Sequence, residues 1–458
     1  MKFLVKASIT VLLLVLTVAS QNAYDTSVDA FVKAELSRQK IPGVSIAIVS
    51  DGKPALVKGY GMANVEHSVA ATADTIFQSG SVGKQFTAMA VMLLIEEGKA
   101  TLDDKINVHL PDVPAEWGGI TIRHLLTHTA GLGDYPQDFD LQKDATEDEI
   151  FKKLQAVKPA AAPGERWAYS NVGYVTLGVL IRKLSGKFYG DYLQERVFKP
   201  LGMTTARVIS EHDIVANRSG GYMLVKGELK NQVWVAPTLN TTADGALYFT
   251  AHDMVKWEAG HAAGKLLSKA GYDAMWAPVK LNNGTTHPYG FGWMFANVNG
   301  IRIIEHGGAW QGFKSHIARF PDKKLTVIVF ANLAQGNPGV IAHGIAAIID
   351  PSLKPAPMAD PDPAHTAAMK KLFEQVLDGT ADPNRFTETI GAAIKAQERL
   401  TAEIKGYGPI KQFAFVDRAE GQQGTRYRYK VDWDAMSLSL VVAIDKQGKI
   451  TGYGLQPQ

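Results

Sequence analysis

The chain has 458 residues, of which 46% are hydrophobic and 20% are charged, and it contains no cysteine. Without cysteine it can hold no disulfide, thiol nucleophile or iron–sulfur cluster, and its charged fraction is too low for a disordered protein. The near balance of 48 Lys and Arg against 45 Asp and Glu, a net charge of +3, provides no electrostatic basis for binding nucleic acid.

Residues 1–20 have the composition of a secretory signal peptide. Lys2 and Lys6 form a basic start, an apolar core follows over 8–18, and small residues near Ala19 offer a cleavage site. The apolar core is too short to cross about 30 Å of hydrocarbon comfortably, which argues against the alternative of a membrane anchor. We therefore predict cleavage and export to the periplasm or the medium, with no stable membrane anchor afterwards.

The helices expected between the signal peptide and residue 349 show apolar residues three and four positions apart, with Gly, Pro or a capping residue at the ends. They fall at 24–40, 82–97, 121–128, 171–184, 189–198, 251–261 and 338–349. Strands are expected where short apolar runs are bounded by turn residues. These runs fall at 44–49, 54–60, 290–298, 301–305, 312–320 and 325–332.

Predicted strands thus come from both ends of the stretch 24–349, and predicted helices fill its middle. This order indicates an α+β domain in which an antiparallel sheet is flanked by helices and carries a mainly helical inserted subdomain. Five prolines over 350–366 predict a stiff linker. Residues 367–458 then predict a small α+β accessory domain, with helices first and a β meander after them. The sequence indicates neither the role of this domain nor an oligomeric state.

Three copies of S-x-x-K are present, and in this motif a lysine one helical turn after a serine can reach its hydroxyl. Two copies, at 37–40 and 50–53, lie at the end of a surface helix and in a hairpin turn, where exposed polar residues are expected. Only Ser81 opens a long apolar helix, whose N-terminal N–H groups favour an oxyanion. Ser81 and Lys84 are therefore the candidate pair, with a helix-capping serine and an exposed lysine as the alternative.

Two further motifs occur once each. The only Y-x-N spans 169–171, where a tyrosine near a lysine can pass protons and an asparagine amide can bind both substrate and lysine. The only H-x-G spans 306–308, at the expected end of the strand 301–305, where glycines let a substrate approach the strand edge. Taken alone, each motif is also explained by packing, as an aromatic residue beside a helix cap and as a glycine-rich turn.

Together and in this order, the three motifs resemble those of the serine β-lactamase-like family, in which S-x-x-K is followed by a second polar motif and K-T-G. The similarity is to the branch of class C β-lactamases, D-alanyl-D-alanine carboxypeptidases, D-aminopeptidases and esterases, whose second motif is Y-x-N. Further matching segments are LLTHTAGL at 125–132, Pro-Gly at 163–164 and DGALYFT at 244–250. The resemblance spans roughly 28–349.

This resemblance implies that Ser81 is the nucleophile that becomes acylated, that Lys84 activates it, and that Tyr169 passes protons to and from the leaving group. Whether Lys84 or Tyr169 is the general base stays open. Asn171 would position the substrate, and the backbone N–H groups of Ser81 and Ala309 would form the oxyanion hole. The resemblance implies no metal and no cofactor.

The third motif departs from K-T-G in the two side chains that bind a substrate carboxylate. His306 replaces the lysine and is only partly cationic near neutral pH, Gly307 replaces the threonine and has no hydroxyl, and Gly308 matches the glycine. We therefore predict an exported serine hydrolase of small amides, peptides or esters. The alternatives are a true β-lactamase or D-alanyl-D-alanine carboxypeptidase, and a non-catalytic protein that only binds penicillin or cell-wall fragments.

Two competing sites have weaker support. His124 and His128 stand four residues apart, which is a zinc-ligand spacing, but the glutamate of H-E-x-x-H is absent. We expect these histidines to serve packing and hydrogen bonding. The pattern G-x-S-x-G almost fits around Ser81, but Ser79 occupies the first glycine position and no parallel-sheet pattern surrounds it, which argues against an α/β-hydrolase.

Overall fold

The computed structural model describes residues 25–136, 138–355, 359–396, 401, 404–421, 424–433 and 437–457. The predicted signal peptide lies outside these residues. The protein consists of two compact units that separate between Lys354 and Pro355, a point that falls within the stretch 350–366.

The first unit is built on a seven-stranded sheet. Its strands, with those of the smaller sheets, are β1 (Gly43–Ser50), β2 (Lys53–Asn64), β3 (Val69–Ala70), β4 (Phe77–Gln78), β5 (Arg207–Val208), β6 (Tyr222–Val225), β7 (Glu228–Asn231), β8 (Leu247–Phe249), β9 (Val279–Lys280), β10 (Thr286–His287), β11 (Met294–Val298), β12 (Ile301–Trp310), β13 (Phe313–Phe320) and β14 (Leu325–Ala331). The order in the main sheet is β11-β12-β13-β14-β1-β2-β3, and its neighbours are antiparallel. At its centre Val44 pairs with Ala331, which confirms an antiparallel sheet assembled from both ends of the unit.

Helices cover both faces of this sheet. They are α1 (25–39), α2 (Lys84–Glu96), α3 (Ile106–His109), α4 (Ile122–Leu126), α5 (Glu147–Leu154), α6 (Asn171–Ser185), α7 (Tyr189–Leu193), α8 (Lys199–Leu201), α9 (Ala251–Ala262), α10 (Lys269–Met275) and α11 (Pro338–Ile349). Alternate residues of β1 face opposite sides, so that Ile46 and Ile48 pack with α1 and α11, whereas Ala47 and Val49 pack with α2 and the helical subdomain. Helix α2 is therefore buried on all sides over 84–94 rather than on one face.

Two local predictions at the motifs differ from the structure. The helix expected over 82–97 begins at Lys84, because residues 82 and 83 belong to a 3-10 turn, Gly80–Gly83, whose first residue has a positive φ of 51°. The strand expected to end at residue 305 continues as β12 to Trp310, because β13 pairs with it up to Trp310 and Phe313. The H-x-G motif therefore lies inside a strand and not in a turn after one.

A histidine on α9 is buried without a hydrogen bond. His261 packs against aromatic rings, with Trp257 at 4.2 Å and Trp293 at 6.2 Å between ring centres. Neither ring nitrogen has a hydrogen-bond partner in the described part of the chain. Burial, aided by the positive charge of Arg319, lowers the pKa of His261 well below its usual value. The folded protein therefore holds this imidazole neutral.

We expect His261→Leu to stabilise the protein more at acid pH than at pH 8. The unfolded chain takes up a proton here below about pH 6.5, whereas the buried imidazole does not, so the wild type loses about 1.4 kcal/mol of stability per pH unit below that point. Leucine removes this loss. Urea unfolding at pH 8 and pH 5.5 measures the change in the free energy of unfolding between the two pH values. The control is His252→Leu, at a half-exposed position of the same helix, which should show the same change as the wild type. The prediction would be contradicted if the free energy of unfolding changed equally with pH in the wild type and in His261→Leu.

The second unit has its own core. Its described elements are α12 (Pro363–Asp378), α13 (Glu388–Ala396), β15 (Gln412–Gly421), β16 (Gly424–Asp432), β17 (Ser437–Asp445) and β18 (Ile450–Pro457), and the four strands form an antiparallel meander in this order. Leu372 and Phe373 of α12 are buried with Tyr429 and Val442 of the meander. Across the described residues of both units, no helix has the length and hydropathy needed to cross a bilayer.

Candidate active site

Ser81 lies in the 3-10 turn Gly80–Gly83, directly before α2. The turn needs glycine at its first position, because Gly80 has a positive φ and a Cβ there would lie 2.4 Å from the backbone N of Ala309. The turn therefore rests against β12. This close approach brings the backbone of Ser81 next to the strand that carries the H-x-G motif.

Lys84 begins α2 and is fully buried. Its Nζ donates to Ser81 Oγ at 3.1 Å, to Asn171 Oδ1 at 2.6 Å and to the backbone oxygen of Asp244 at 2.5 Å. These three acceptors match the three donors of an ammonium group and hold the nitrogen within proton-transfer distance of the Ser81 hydroxyl. The alternative of an exposed lysine is therefore wrong.

Asn171 is fixed by partners on both ends of its amide. It begins α6, which Ser170 caps by accepting a hydrogen bond from the backbone N–H of Gly173 at 3.2 Å. While its Oδ1 accepts from Lys84, its Nδ2 donates to Oδ2 of Asp134 at 3.1 Å. The amide thus links the buried lysine to an acidic residue at the mouth of the site.

The ring of Tyr169 lies beside Lys84, whose Nζ is 5.0 Å from the ring centre. The ring packs against His128 at 4.2 Å and lies 6.3 Å from the ring of His306. The structure therefore brings together Ser81, Lys84 and Tyr169, which come from separate segments of the chain. Packing against His128 holds the tyrosine ring in place.

Behind Tyr169, two histidines and a tyrosine form a buried hydrogen-bond chain. His128 Nδ1 accepts from the backbone N–H of Ser170 at 3.1 Å, so its Nε2 carries the proton and donates to Tyr289 Oη at 3.1 Å. Tyr289 then donates to His306 Nε2 at 3.0 Å, and His306 Nδ1 donates to the backbone oxygen of Gly307 at 2.6 Å. Each hydrogen bond in this series thus has one donor and one acceptor when both imidazoles are neutral.

Electrostatics keep these imidazoles uncharged. Burial, together with the positive charge of Lys84, lowers the pKa of His306 to about 3 and lowers the pKa of His128 well below its usual value. Burial also raises the pKa of Tyr289 far above 10, so its hydroxyl keeps its proton. The expectation that His306 is partly cationic near neutral pH is therefore corrected, since it has no charge to offer a substrate carboxylate.

The histidine pair with zinc-ligand spacing is engaged in hydrogen bonds to the protein. His124 Nδ1 accepts from the backbone N–H of Thr121 at 3.1 Å in the capping box that opens α4. His128 belongs to the buried chain behind Tyr169. Their ring nitrogens thus serve the local structure.

The glycines of the H-x-G motif stand in different surroundings. A Cβ on Gly308 would lie 2.0 Å from the backbone oxygen of Ser79 and 2.3 Å from Ser315 Oγ, so only glycine fits between the strand and the turn. A Cβ on Gly307 would meet only ordinary contacts, the nearest at 3.5 Å from His316 Nδ1. Gly308 therefore allows the short distance between β12 and the turn that carries Ser81, whereas Gly307 has no part in it.

A cavity of about 230 Å³ opens next to Ser81. Its walls are largely aromatic or apolar and include Tyr135, Phe139 and Trp310, and Asp244 also lines it. Tyr135 donates its hydroxyl proton to Asp244 Oδ2 at 3.3 Å. The roles of Asp134 and Tyr289 were not foreseen from the sequence, because each stands in a loop or an irregular segment outside the matching motifs. Asp244 was marked only as the start of the matching segment 244–250, without a role of its own.

Comparison with known proteins gives matches over most of the first unit. A family model described as Beta-lactamase matches residues 28–348. Penicillin-binding protein 4* of Bacillus subtilis (strain 168) is 32% identical over 291 residues, which cover 60% of this chain and 64% of the relative. Unguisins hydrolase ungD' of Aspergillus campestris is 30% identical over 352 residues, 71% of this chain and 65% of the relative. The chain thus spans just under two thirds of the length of these curated relatives.

Solved structures share the fold. The octameric penicillin-binding protein homologue from Pyrococcus abyssi superposes with a TM-score of 0.65 at 25% identity, covering 94% of this chain and 99% of that one. The D-amino acid amidase from Ochrobactrum anthropi SV3 gives a TM-score of 0.62 at 23% identity over 72% of this chain and 98% of its own, a similarity of fold alone.

Proposed function

Because the chain belongs to the β-lactamase family, we propose that it is a serine hydrolase that cleaves small amide, peptide or ester substrates through an acyl-serine intermediate. The observation that carries this proposal is the contact of 3.1 Å between Ser81 Oγ and Lys84 Nζ, with the lysine fully buried and held by two further acceptors. A buried lysine directed at a serine hydroxyl is one arrangement that activates a serine nucleophile.

The proposed reaction uses the residues around this contact. Ser81 Oγ attacks the substrate carbonyl carbon and passes its proton to whichever of Lys84 and Tyr169 is in its deprotonated form, as the amine or the phenolate, while the carbonyl oxygen becomes an oxyanion. The backbone N–H groups of Ser81 and Ala309, on facing segments of the turn and β12, would receive this charge. The leaving group departs with a proton returned by Tyr169 or Lys84, and water then hydrolyses the acyl-serine by the same proton transfers.

The surroundings of Ser81 favour substrates without a carboxylate near the scissile bond. His306 is neutral at physiological pH, and Gly307 has no hydroxyl, so neither supplies the partner that a penicillin carboxylate needs. Asp244 adds a carboxylate to the cavity wall, which disfavours an anionic substrate and favours one with a free amino group. These features support an amidase, peptidase or esterase over a β-lactamase.

We also propose that the protein acts outside the cytoplasm, in the periplasm or the medium. The basic start and the short apolar core within residues 1–20 support this location. Fusing residues 1–23 to a reporter that matures only after export tests it. Reporter activity that is retained when Lys2 and Lys6 are neutral and the apolar core is interrupted by charges would contradict the proposal.

The experiment for the enzymatic proposal compares three chromogenic substrates: an ester, an amino-acid anilide with a free amine, and a cephalosporin. Turnover of the ester or the anilide that exceeds cephalosporin turnover at least tenfold is expected. Intact mass should show a transient acyl adduct, and fragmentation of the tryptic peptide 59–84 should place it on Ser81 and not on Ser79. Comparable cephalosporin turnover would indicate a β-lactamase, and a stable adduct without turnover would indicate a binding protein.

A further inference from the structure

Three side chains with metal-binding atoms meet on the face of the main sheet opposite Ser81. They are Glu305 on β12, His316 on β13 and His343 on α11. Glu305 Oε2 lies 3.1 Å from His316 Nε2 and 2.7 Å from His343 Nε2, and one ligand atom from each side chain lies within 4.8 Å of the others. One carboxylate oxygen thus lies within hydrogen-bond distance of two imidazole nitrogens from two other elements.

We propose that Glu305, His316 and His343 bind a divalent transition-metal ion, with Zn²⁺ as the best match. Zinc bonds to imidazole nitrogen and carboxylate oxygen of about 2.0–2.1 Å in a tetrahedron place neighbouring ligand atoms about 3.3 Å apart. The separations of 3.1 and 2.7 Å from the carboxylate oxygen are near or below this value, and all three ligand atoms lie within 4.8 Å, so side-chain rotations can bring them around one ion. Two histidines and one glutamate form a known zinc donor set that leaves a fourth position for water.

The supporting structure suits a stable site. Two ligands stand on adjacent strands, where His316 is the register partner of Gly307, and the third stands on a helix that packs on the same sheet. His316 and Glu305 are 15% and 17% exposed, whereas His343 is 39% exposed. The inner ligands are thus held by packing, and the outer one leaves a path for the ion and for water from solvent.

The position of the site has a consequence for β12. His306 and Gly308 face the Ser81 side of this strand, and Glu305 faces the other side, one residue away. An ion bound to Glu305, His316 and His343 links β12 to β13 and α11 on the face of the sheet away from Ser81. The ion would thus stabilise the strand carrying Ala309, so its effect is measured on binding and unfolding and not on hydrolysis alone.

This site was not foreseen, because the resemblance implies no metal and its three ligands follow no motif spacing along the chain. The competing explanation is a hydrogen-bonded triad in which both imidazoles donate to one carboxylate. The two explanations differ in what a metal titration shows. A triad without metal affinity binds Zn²⁺ no better than any other surface histidine.

The test uses the full chain without an affinity tag, after treatment with a chelator. Calorimetric titration with ZnCl₂ and elemental analysis after dialysis should show one ion per chain with a sub-micromolar dissociation constant, and the ion should raise the unfolding temperature by several degrees. Co²⁺ should give the visible absorption of a tetrahedral site. His343→Ala and Glu305→Gln should each weaken binding at least tenfold and abolish this spectrum.

His109→Ala is the matched control, because His109 pairs with the single carboxylate of Asp104 at 2.8 Å and no third ligand joins them among the described residues. This variant should keep wild-type zinc binding. The proposal would be overturned if the wild type showed no saturable binding of Zn²⁺ at concentrations up to about 100 µM. Equal binding by wild type, His343→Ala and Glu305→Gln, each shown by circular dichroism to be folded, would overturn it as well. None of these readouts depends on hydrolysis, so failure here is distinguishable from failure of the enzymatic proposal.

Discussion

Replacing Ser81 with alanine should reduce ester turnover at least about 1,000-fold and remove the acyl adduct, because within the described part of the chain Ser81 supplies the one hydroxyl bonded to the buried Lys84 nitrogen. The substitution deletes one oxygen atom and leaves Lys84 with two acceptors, Asn171 Oδ1 and the backbone oxygen of Asp244. We therefore expect the variant to fold, with a small change in unfolding temperature. Steady-state kinetics and intact mass measure the two effects.

The chain offers its own controls for this experiment. Ser37→Ala and Ser50→Ala alter the other two S-x-x-K copies, which stand at the end of α1 and at the end of β1. Both variants should keep turnover within about twofold of wild type, as expected for surface positions. Turnover that survives Ser81→Ala would overturn the assignment of the nucleophile, and equal losses in all three variants would indicate an effect unrelated to the motif.

Gly308→Ala should lower kcat/KM at least about 100-fold, the size expected when one oxyanion donor is lost. The added Cβ would collide with the backbone oxygen of Ser79 at 2.0 Å and with Ser315 Oγ at 2.3 Å. A backbone oxygen cannot rotate out of the way as a flexible side chain can. The strand β12 and the turn must therefore move apart. The N–H groups of Ser81 and Ala309 then separate, and overpacking costs about 1–3 kcal/mol of stability.

Gly307→Ala adds the same methyl group one residue earlier and is the matched control. Its Cβ would lie 3.5 Å from His316 Nδ1 and 3.8 Å from the backbone oxygen of Ser315, which are ordinary contacts. We expect kcat/KM within about threefold of wild type and an unchanged unfolding temperature. If both variants lose activity alike, the close approach of Gly308 to the turn is not what sets the geometry of the site.

Much of the site could be predicted because its chemistry follows the short-range geometry of helices. Ser81 and Lys84 are one turn apart, so the spacing alone puts both side chains on one face, and the apolar residues after them indicate a buried helix. The individual strands followed from short apolar runs bounded by turn residues. These features depend on neighbours in the sequence.

What could not be predicted depends on contacts between distant segments. The neutrality of His306 follows from Tyr289 and from burial, and neither is visible in the H-x-G motif. The extension of β12 to Trp310 required knowledge of its partner strand. Asp244 begins a matching segment, but its backbone contact with Lys84 and its carboxylate contact with Tyr135 join distant parts of the chain and are not visible in that segment.

The pairing of β1 with β14 also constrains when the protein can fold. Val44 and Ala331 are separated by roughly 290 residues, so the centre of the sheet cannot close until nearly the whole first unit has left the ribosome. At about 5–20 residues per second, this leaves the β1–β2 hairpin without its other neighbour for on the order of tens of seconds. An apolar strand edge then stays open to other chains. Protection of this edge until the first unit is complete, more than the stability of the finished fold, should therefore limit the yield of folded protein.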